Sequence, residues 1–83
     1  MKLLYFAWLR TKIGIAEEIV DLPADVTTVA SLLDWLKQRG PRFADALLNP
    51  CMVRVAVNQD YAQRDHAVRP GDEVALFPPV TGG

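Results

Sequence analysis

Val29, Leu32, Leu33 and Leu36 fall at i, i+3, i+4 and i+7, so residues 28–39 carry one apolar stripe along a helix of about three turns. Thr28 stands where an N-cap acceptor is needed, and Lys37 and Arg39 complement the negative end of the helix dipole. Gly40 followed by Pro41 stops it. This is the clearest helical pattern in the 83 residues, and one such helix can cover one face of one sheet. A chain this short has no room for a second domain.

The remaining segments supply the strands. Residues 2–9 are short, apolar and aromatic with no capping residue before them, which predicts a first strand. Residues 10–16 contain Gly14 and are expected to form a loop or a single helical turn. Residues 17–22 bring Ile19 and Val20 into a second strand, making a hairpin that Pro23 ends. Phe43, Ala46 and Leu47 suggest one or two further helical turns over 42–48, closed by Asn49 and Pro50. In 52–57 the alternation of Val53, Val55 and Val57 marks a half-buried strand, after which residues 58–60 turn the chain. Pro70, Gly71 and Asp72 form another turn that launches a last strand over 73–77. Strand, strand, helix, strand, turn region and strand is the order of an α+β β-grasp, a mixed sheet covered on one face. The first and last strands should be parallel neighbours joined through the helical crossover. The expected organisation is a domain over 1–77 and a projecting arm over 78–83.

Composition removes most function classes. An apolar fraction of 51% with 23% charged residues excludes a disordered chain. A formal charge of −1 provides no field for phosphate backbones or anionic lipid, so neither nucleic acid nor a membrane is an expected partner. The longest wholly apolar run, residues 3–9, is far below the ~20 residues that span a bilayer. One cysteine, Cys51, cannot form an internal disulfide, which favours the reducing cytoplasm. With a single histidine, His66, the chain offers no zinc-type spacing, and no metal site is expected. Cys51 reads as a small core residue and His66 as a surface or turn residue. Asp72 and Glu73 are adjacent on a strand and so face opposite ways, wrong for a shared acid and base. Trp8 and Trp35 read as packing groups.

What remains is the tail. Pro78 and Pro79 fix φ and lack an N–H, so the chain should leave the last strand stiff and extended. Six extended residues reach at most ~20 Å, and Gly82 and Gly83 have no side chains to obstruct a narrow slot. The reactive atom would then be the carboxyl carbon of Gly83. The strand phases suggest a docking face beside the arm. If Val74 and Leu76 point to the helix, Phe77 points away, as does Phe6 on the neighbouring strand, with Tyr61 a third member. The other possibility is that these rings pack beneath the prolines or in a satellite core.

Phe6-Ala7 followed by Leu9-Arg10, the Val57-Asn58-Gln59 turn, Gly71-Asp72-Glu73-Val74-Ala75 and above all Phe77-Pro78-Pro79-Val80-Thr81-Gly82-Gly83 resemble the family of small, sulfur-carrying subunits of molybdopterin synthase. The resemblance runs over nearly the whole chain, and it implies a ubiquitin-like β-grasp fold. It implies that an adenylating enzyme of the ubiquitin-activating kind uses ATP and magnesium to activate the Gly83 carboxylate. A sulfur donor protein then displaces AMP to leave a terminal thiocarboxylate. It implies no cofactor held by this chain, and no catalytic side chain of its own. The arm, from Pro78 through Val80, Thr81 and Gly82, would enter the large catalytic subunit, where sulfur passes to a cyclic pyranopterin monophosphate to build the dithiolene of the molybdenum cofactor. A heterotetramer, a large-subunit dimer with one small subunit at each end, is the implied assembly. Related carriers feed thiamine thiazole synthesis, and related ubiquitin-like modifiers are conjugated to lysines; both stay open, as does a plain interaction module with an idle tail.

Overall fold

Alternation along each strand decides which side of the sheet is covered. In the computed structural model the described residues are 1–79. Five strands, β1 (Lys2–Tyr5), β2 (Glu17–Ile19), β3 (Arg54–Val57), β4 (Asp60–Ala62) and β5 (Glu73–Phe77), form one sheet in the order β2-β1-β5-β3-β4. β1 and β5 are parallel, with Tyr5 beside Leu76, and the other pairs are antiparallel. Three helices, α1 (Ala7–Ile13), α2 (Val29–Lys37) and α3 (Pro41–Ala46), complete the fold. This is the β-grasp arrangement, with its parallel pair at the centre.

Leu3, Tyr5, Val55, Val57, Val74 and Leu76 all lie on one side of the sheet and are buried in a single core with Val29, Leu32, Leu33 and Leu36 of α2. The predicted stripe is therefore the covering face. Thr28 caps α2 reciprocally: its Oγ1 accepts from the Ser31 N–H at 3.2 Å, while Ser31 Oγ accepts from the Thr28 N–H at 2.9 Å. The next two N–H groups, of Val29 and Ala30, donate to the carbonyls of His66 and Arg64, both at 2.9 Å. The loop before β5 is thereby tied to the start of the helix. His66 itself is exposed, as expected. Trp8 and Trp35 pack partly buried against the core.

Several elements differ from the sequence expectation. The first strand stops at Tyr5, and residues 7–13 are helical because Leu9 and Ile13, four apart, both drop into the core. Ala7 sits at φ 55°, turning the chain sharply from strand to helix. Gly14, at φ 96°, closes α1 by donating its N–H to the Arg10 carbonyl at 2.8 Å. The second strand ends at Ile19 rather than residue 22. Arg39 lies past the end of α2 and pairs with Glu18 instead of complementing the dipole.

Residues 50–52 form a short 3₁₀ turn, so the third strand starts at Arg54 and Cys51 is exposed, not in the core. An additional edge strand, β4, follows the two-residue turn of Asn58 and Gln59, whose φ values of 51° and 73° are those a tight hairpin requires. Asn58 also fixes the start of β5. Its Nδ2 donates to Asp72 Oδ1 at 3.1 Å and its Oδ1 accepts from the Glu73 N–H at 3.0 Å. Asp72 Oδ2 in turn accepts from the Arg69 N–H at 2.9 Å. Two of the motifs that carried the resemblance are thus a clamp that sets the register of the last strand.

Candidate functional site

The side of the sheet away from the helices is open. Strand phase places Leu4 on it from β1, Ala75 and Phe77 from β5, Arg54 and Ala56 from β3, and Tyr61 from β4, with Ala56 opposite both Ala75 and Tyr61. Phe77 is the last residue of β5, directly opposite Arg54. Beyond it Pro78 and Pro79 leave the ladder, as the missing N–H groups require. The open face therefore ends where the proline segment begins.

The three rings predicted to share this face are distributed unequally. Phe77 and Tyr61 form a tilted pair with centroids 5.8 Å apart, and Tyr61 is 80% exposed. Phe6 is 48% exposed and continues β1 beyond its last paired residue, its N–H donating to the Leu76 carbonyl at 3.1 Å. It lines a separate concavity with Leu4, Ala7, Arg10 and Glu17. Tyr61, read as a supplementary member, is the ring neighbour of Phe77, because the unpredicted strand β4 presents it across β3. Arg54 was not singled out in the sequence, yet the Val53-Val55-Val57 alternation already places it on the opposite face. Gly83, predicted to carry the chemistry, and Val80, Thr81 and Gly82, predicted to insert with it, lie outside the described residues.

The covered side is secured at its edge by a polar cluster. The Tyr5 hydroxyl donates to Glu18 Oε2 at 2.6 Å, and Arg39 Nη1 donates to the same oxygen at 2.7 Å. The Arg39 guanidinium lies over the rings of Phe43 and Trp35, 4.8 and 5.3 Å from their centroids. Burial, reinforced by the neighbouring carboxylate, pushes the Tyr5 hydroxyl far above its ordinary value. Burial alone would also raise Glu18, but the hydrogen bonds from Arg39 and Tyr5 outweigh it and hold the carboxyl below its usual range. The bond to Glu18 raises Arg39. These groups are mutually satisfied, and they hold β1, β2 and the segment after α2 together rather than offering an acid or base to a substrate.

Among the described residues, no group of three or more His, Cys, Asp or Glu could hold a metal ion, and no helix is long and apolar enough to cross a membrane. What the described surface offers chemically is a sheet face for recognition.

The ThiS family profile matches residues 3–83. The molybdopterin synthase sulfur carrier subunit of Escherichia coli is 40% identical over 83 residues, spanning 100% of this chain and 99% of its own length. The protein of the same name from Haemophilus influenzae is 39% identical over 83 residues, with the same coverage. Among solved structures, small archaeal modifier protein 1 of Haloferax volcanii superposes with a TM-score of 0.78 at 32% identity, covering 96% of this chain and 97% of that one.

Proposed function

This chain belongs to the ThiS family, and from that membership we propose that it is the sulfur-carrying subunit of a molybdopterin synthase, with the carboxyl group of Gly83 as its reactive centre. The observation that carries the reading is the family match through residue 83, over a chain whose curated relatives carry that sulfur-carrier name at about 40% identity along their whole length. A sulfur carrier of this kind works with a large subunit. It supplies the sulfur and not the catalytic side chains.

The chemistry follows from the poor electrophilicity of a carboxylate. In an adenylating enzyme that binds ATP and magnesium, a Gly83 carboxylate oxygen attacks the α-phosphorus and pyrophosphate leaves. The resulting mixed anhydride has AMP as a competent leaving group, so the outer sulfur of a donor persulfide attacks the acyl carbon and expels AMP, and a thiol then cleaves the acyl disulfide, forming a disulfide with the donor sulfur and releasing the thiocarboxylate. The product thiocarboxylate is ionised near neutral pH, which makes its sulfur a strong nucleophile. In the large subunit that sulfur attacks a cyclic pyranopterin monophosphate to form a thioester with Gly83, water cleaves the acyl C–S bond to return the carboxylate and leave sulfur on the pterin, and two such transfers complete a dithiolene. This chain needs no cofactor of its own for any of these steps. The nucleotide requirement sets the chemistry in the cytoplasm.

Residues 1–77 serve in this reading as the handle and residues 78–83 as the arm. Pro78 and Pro79 stiffen its root, and Val80, Thr81 and Gly82 thread towards the partner's site. The open face with Phe6, Tyr61 and Phe77 docks on the large subunit. Intact-mass spectrometry of the protein purified from its own host tests the central step. A gain equal to one oxygen replaced by sulfur at Gly83 supports the carrier, and an extension beyond Gly83 should abolish it by turning the carboxyl into an internal amide. A loaded species that never appears under cofactor-producing conditions would sink the reading.

A second reading has its own support in the likeness to a Haloferax protein named as a modifier. It shares the activation step and differs in the acceptor, a lysine amine in place of a donor sulfur. Isopeptide adducts of Gly83 on lysines of other proteins would distinguish it.

A further inference from the structure

Among the described residues, the open face carries a cation that no carboxylate neutralises. Lys2, on the same face, lies 3.2 Å from Glu17, and Lys12, Lys37 and Arg39 are each within 4.0 Å of a carboxylate elsewhere. Among the described residues Arg54 has no such partner. It is exposed, stands opposite Phe77 across the β3–β5 ladder, and lines a concavity of about 390 Å³ with Tyr61, Ala62, Gln63 and Phe77. A guanidinium is therefore set beside the ring pair at the point where the chain leaves the sheet.

That placement constrains what can cover the rings. Removing water from Tyr61 and Phe77 also removes it from Arg54, and a desolvated guanidinium without an anion is strongly unfavourable. The planar fork of an arginine matches a carboxylate through two parallel hydrogen bonds, and its face tolerates contact with aromatic rings. The whole chain has a net charge of −1, so no general positive field draws an acidic partner. Any preference for an acidic surface at this point is local to Arg54.

Resting on the docking reading above, we propose that the large-subunit surface covering Tyr61 and Phe77 carries a carboxylate that pairs with Arg54, making Arg54 the residue that selects an acidic seat for the root of the arm. The pair fixes the position of β5's last residue on the partner, and so the direction from which the arm enters.

The test is calorimetric titration of the intact small subunit into the molybdopterin synthase large subunit of the same organism, at low and high ionic strength. Arg54→Gln should weaken binding about thirtyfold, the size expected when one member of a buried charge pair is removed. Arg54→Glu should weaken it further, and Arg54→Lys should recover part of the loss. The salt dependence of affinity should be shallower for Arg54→Gln than for the unmodified chain. Thermal melts show that each variant is folded. Phe77→Ala separates this proposal from the reading beneath it. If Phe77→Ala weakens binding while Arg54→Gln and Arg54→Glu stay within about twofold of the parent, the face docks without a carboxylate and the proposal is overturned. If none of the three has an effect, the docking face itself is wrong and the proposal falls with it.

Discussion

Tyr5 and Tyr61 stand on opposite faces of one sheet and meet opposite surroundings. Tyr5 is 1% exposed, lies edge-on to Phe43 with centroids 6.2 Å apart, and gives its hydroxyl to Glu18. Tyr61 is 80% exposed beside Phe77, at a similar 5.8 Å. Both faces thus carry an aromatic pair at comparable spacing, but only one pair is enclosed. The helices supply enough apolar surface to complete the covered face, so rings left on the other face are not required by the core. Stability and recognition should therefore separate by strand phase, with alternate residues of β5 answering to different measurements.

The largest effect should come from the covered face. Leu76 is fully buried, and Leu76→Ala should cost about 2–5 kcal/mol in urea denaturation, the range for a core leucine truncated in place. A loss below about 1 kcal/mol would mean that this face is not close-packed. Its neighbour Phe77 should behave differently. Phe77→Ala should reduce stability by about 1 kcal/mol or less, yet weaken large-subunit binding about tenfold or more, as expected of an aromatic anchor. Equal losses of stability in the two variants, with unchanged affinity for the folded Phe77→Ala protein, would erase the distinction between the faces. A smaller effect is expected where the covering helix begins: Thr28→Ala removes the acceptor for the Ser31 N–H and should cost about 1 kcal/mol, with no change in affinity once folded.

The same phase argument explains what could be read from the sequence. The Val53-Val55-Val57 alternation and the Val29-Leu32-Leu33-Leu36 stripe each report a local period, and both elements were found with their buried faces assigned correctly. Helix α1 was obscured because Phe6, its N-cap residue, makes no side-chain cap and its first turn has no acidic residue. An uninterrupted apolar run then reads as strand, although Leu9 and Ile13 carry the helical spacing. Strand β4 has only three residues and exists through its pairing with β3, which no local window contains. The two-residue loop before it was the available signal. Cys51 reads as core from its place beside the apolar strand expected over 52–57, but that strand begins at Arg54 and Cys51 lies in the 3₁₀ turn before it. The pairing of Glu18 with Arg39 spans 21 residues and depends on tertiary contact alone. The arm motif was legible as a motif, and its residues from Val80 onward lie outside the described residues.

The smallest expected effect concerns pH and tests whether the seam of the covered face is independent of the open one. Glu18 pairs with Leu3's position on β1 and points to the covered side, where bonds from Arg39 and Tyr5 hold its carboxyl below the ordinary 4.5 despite the opposing effect of burial. A carboxyl whose value is lower in the folded than in the unfolded chain contributes stability that is fully present above the unfolded value and is lost as pH falls through the folded one. Unfolding free energy should therefore decline on acidification from about pH 5 downward. Tyr5 acts at the other end: burial, aided by Glu18, raises it above the ordinary 10.0, so its contribution is complete below that value and is lost as pH rises beyond it. Glu18→Gln should flatten the acid limb of a denaturation series run across pH, Tyr5→Phe should flatten the alkaline limb, and neither should change large-subunit affinity at neutral pH. An acid limb equally steep in Glu18→Gln would assign that loss to other carboxylates. A fall in affinity from either folded variant would show that the two faces are coupled through the sheet.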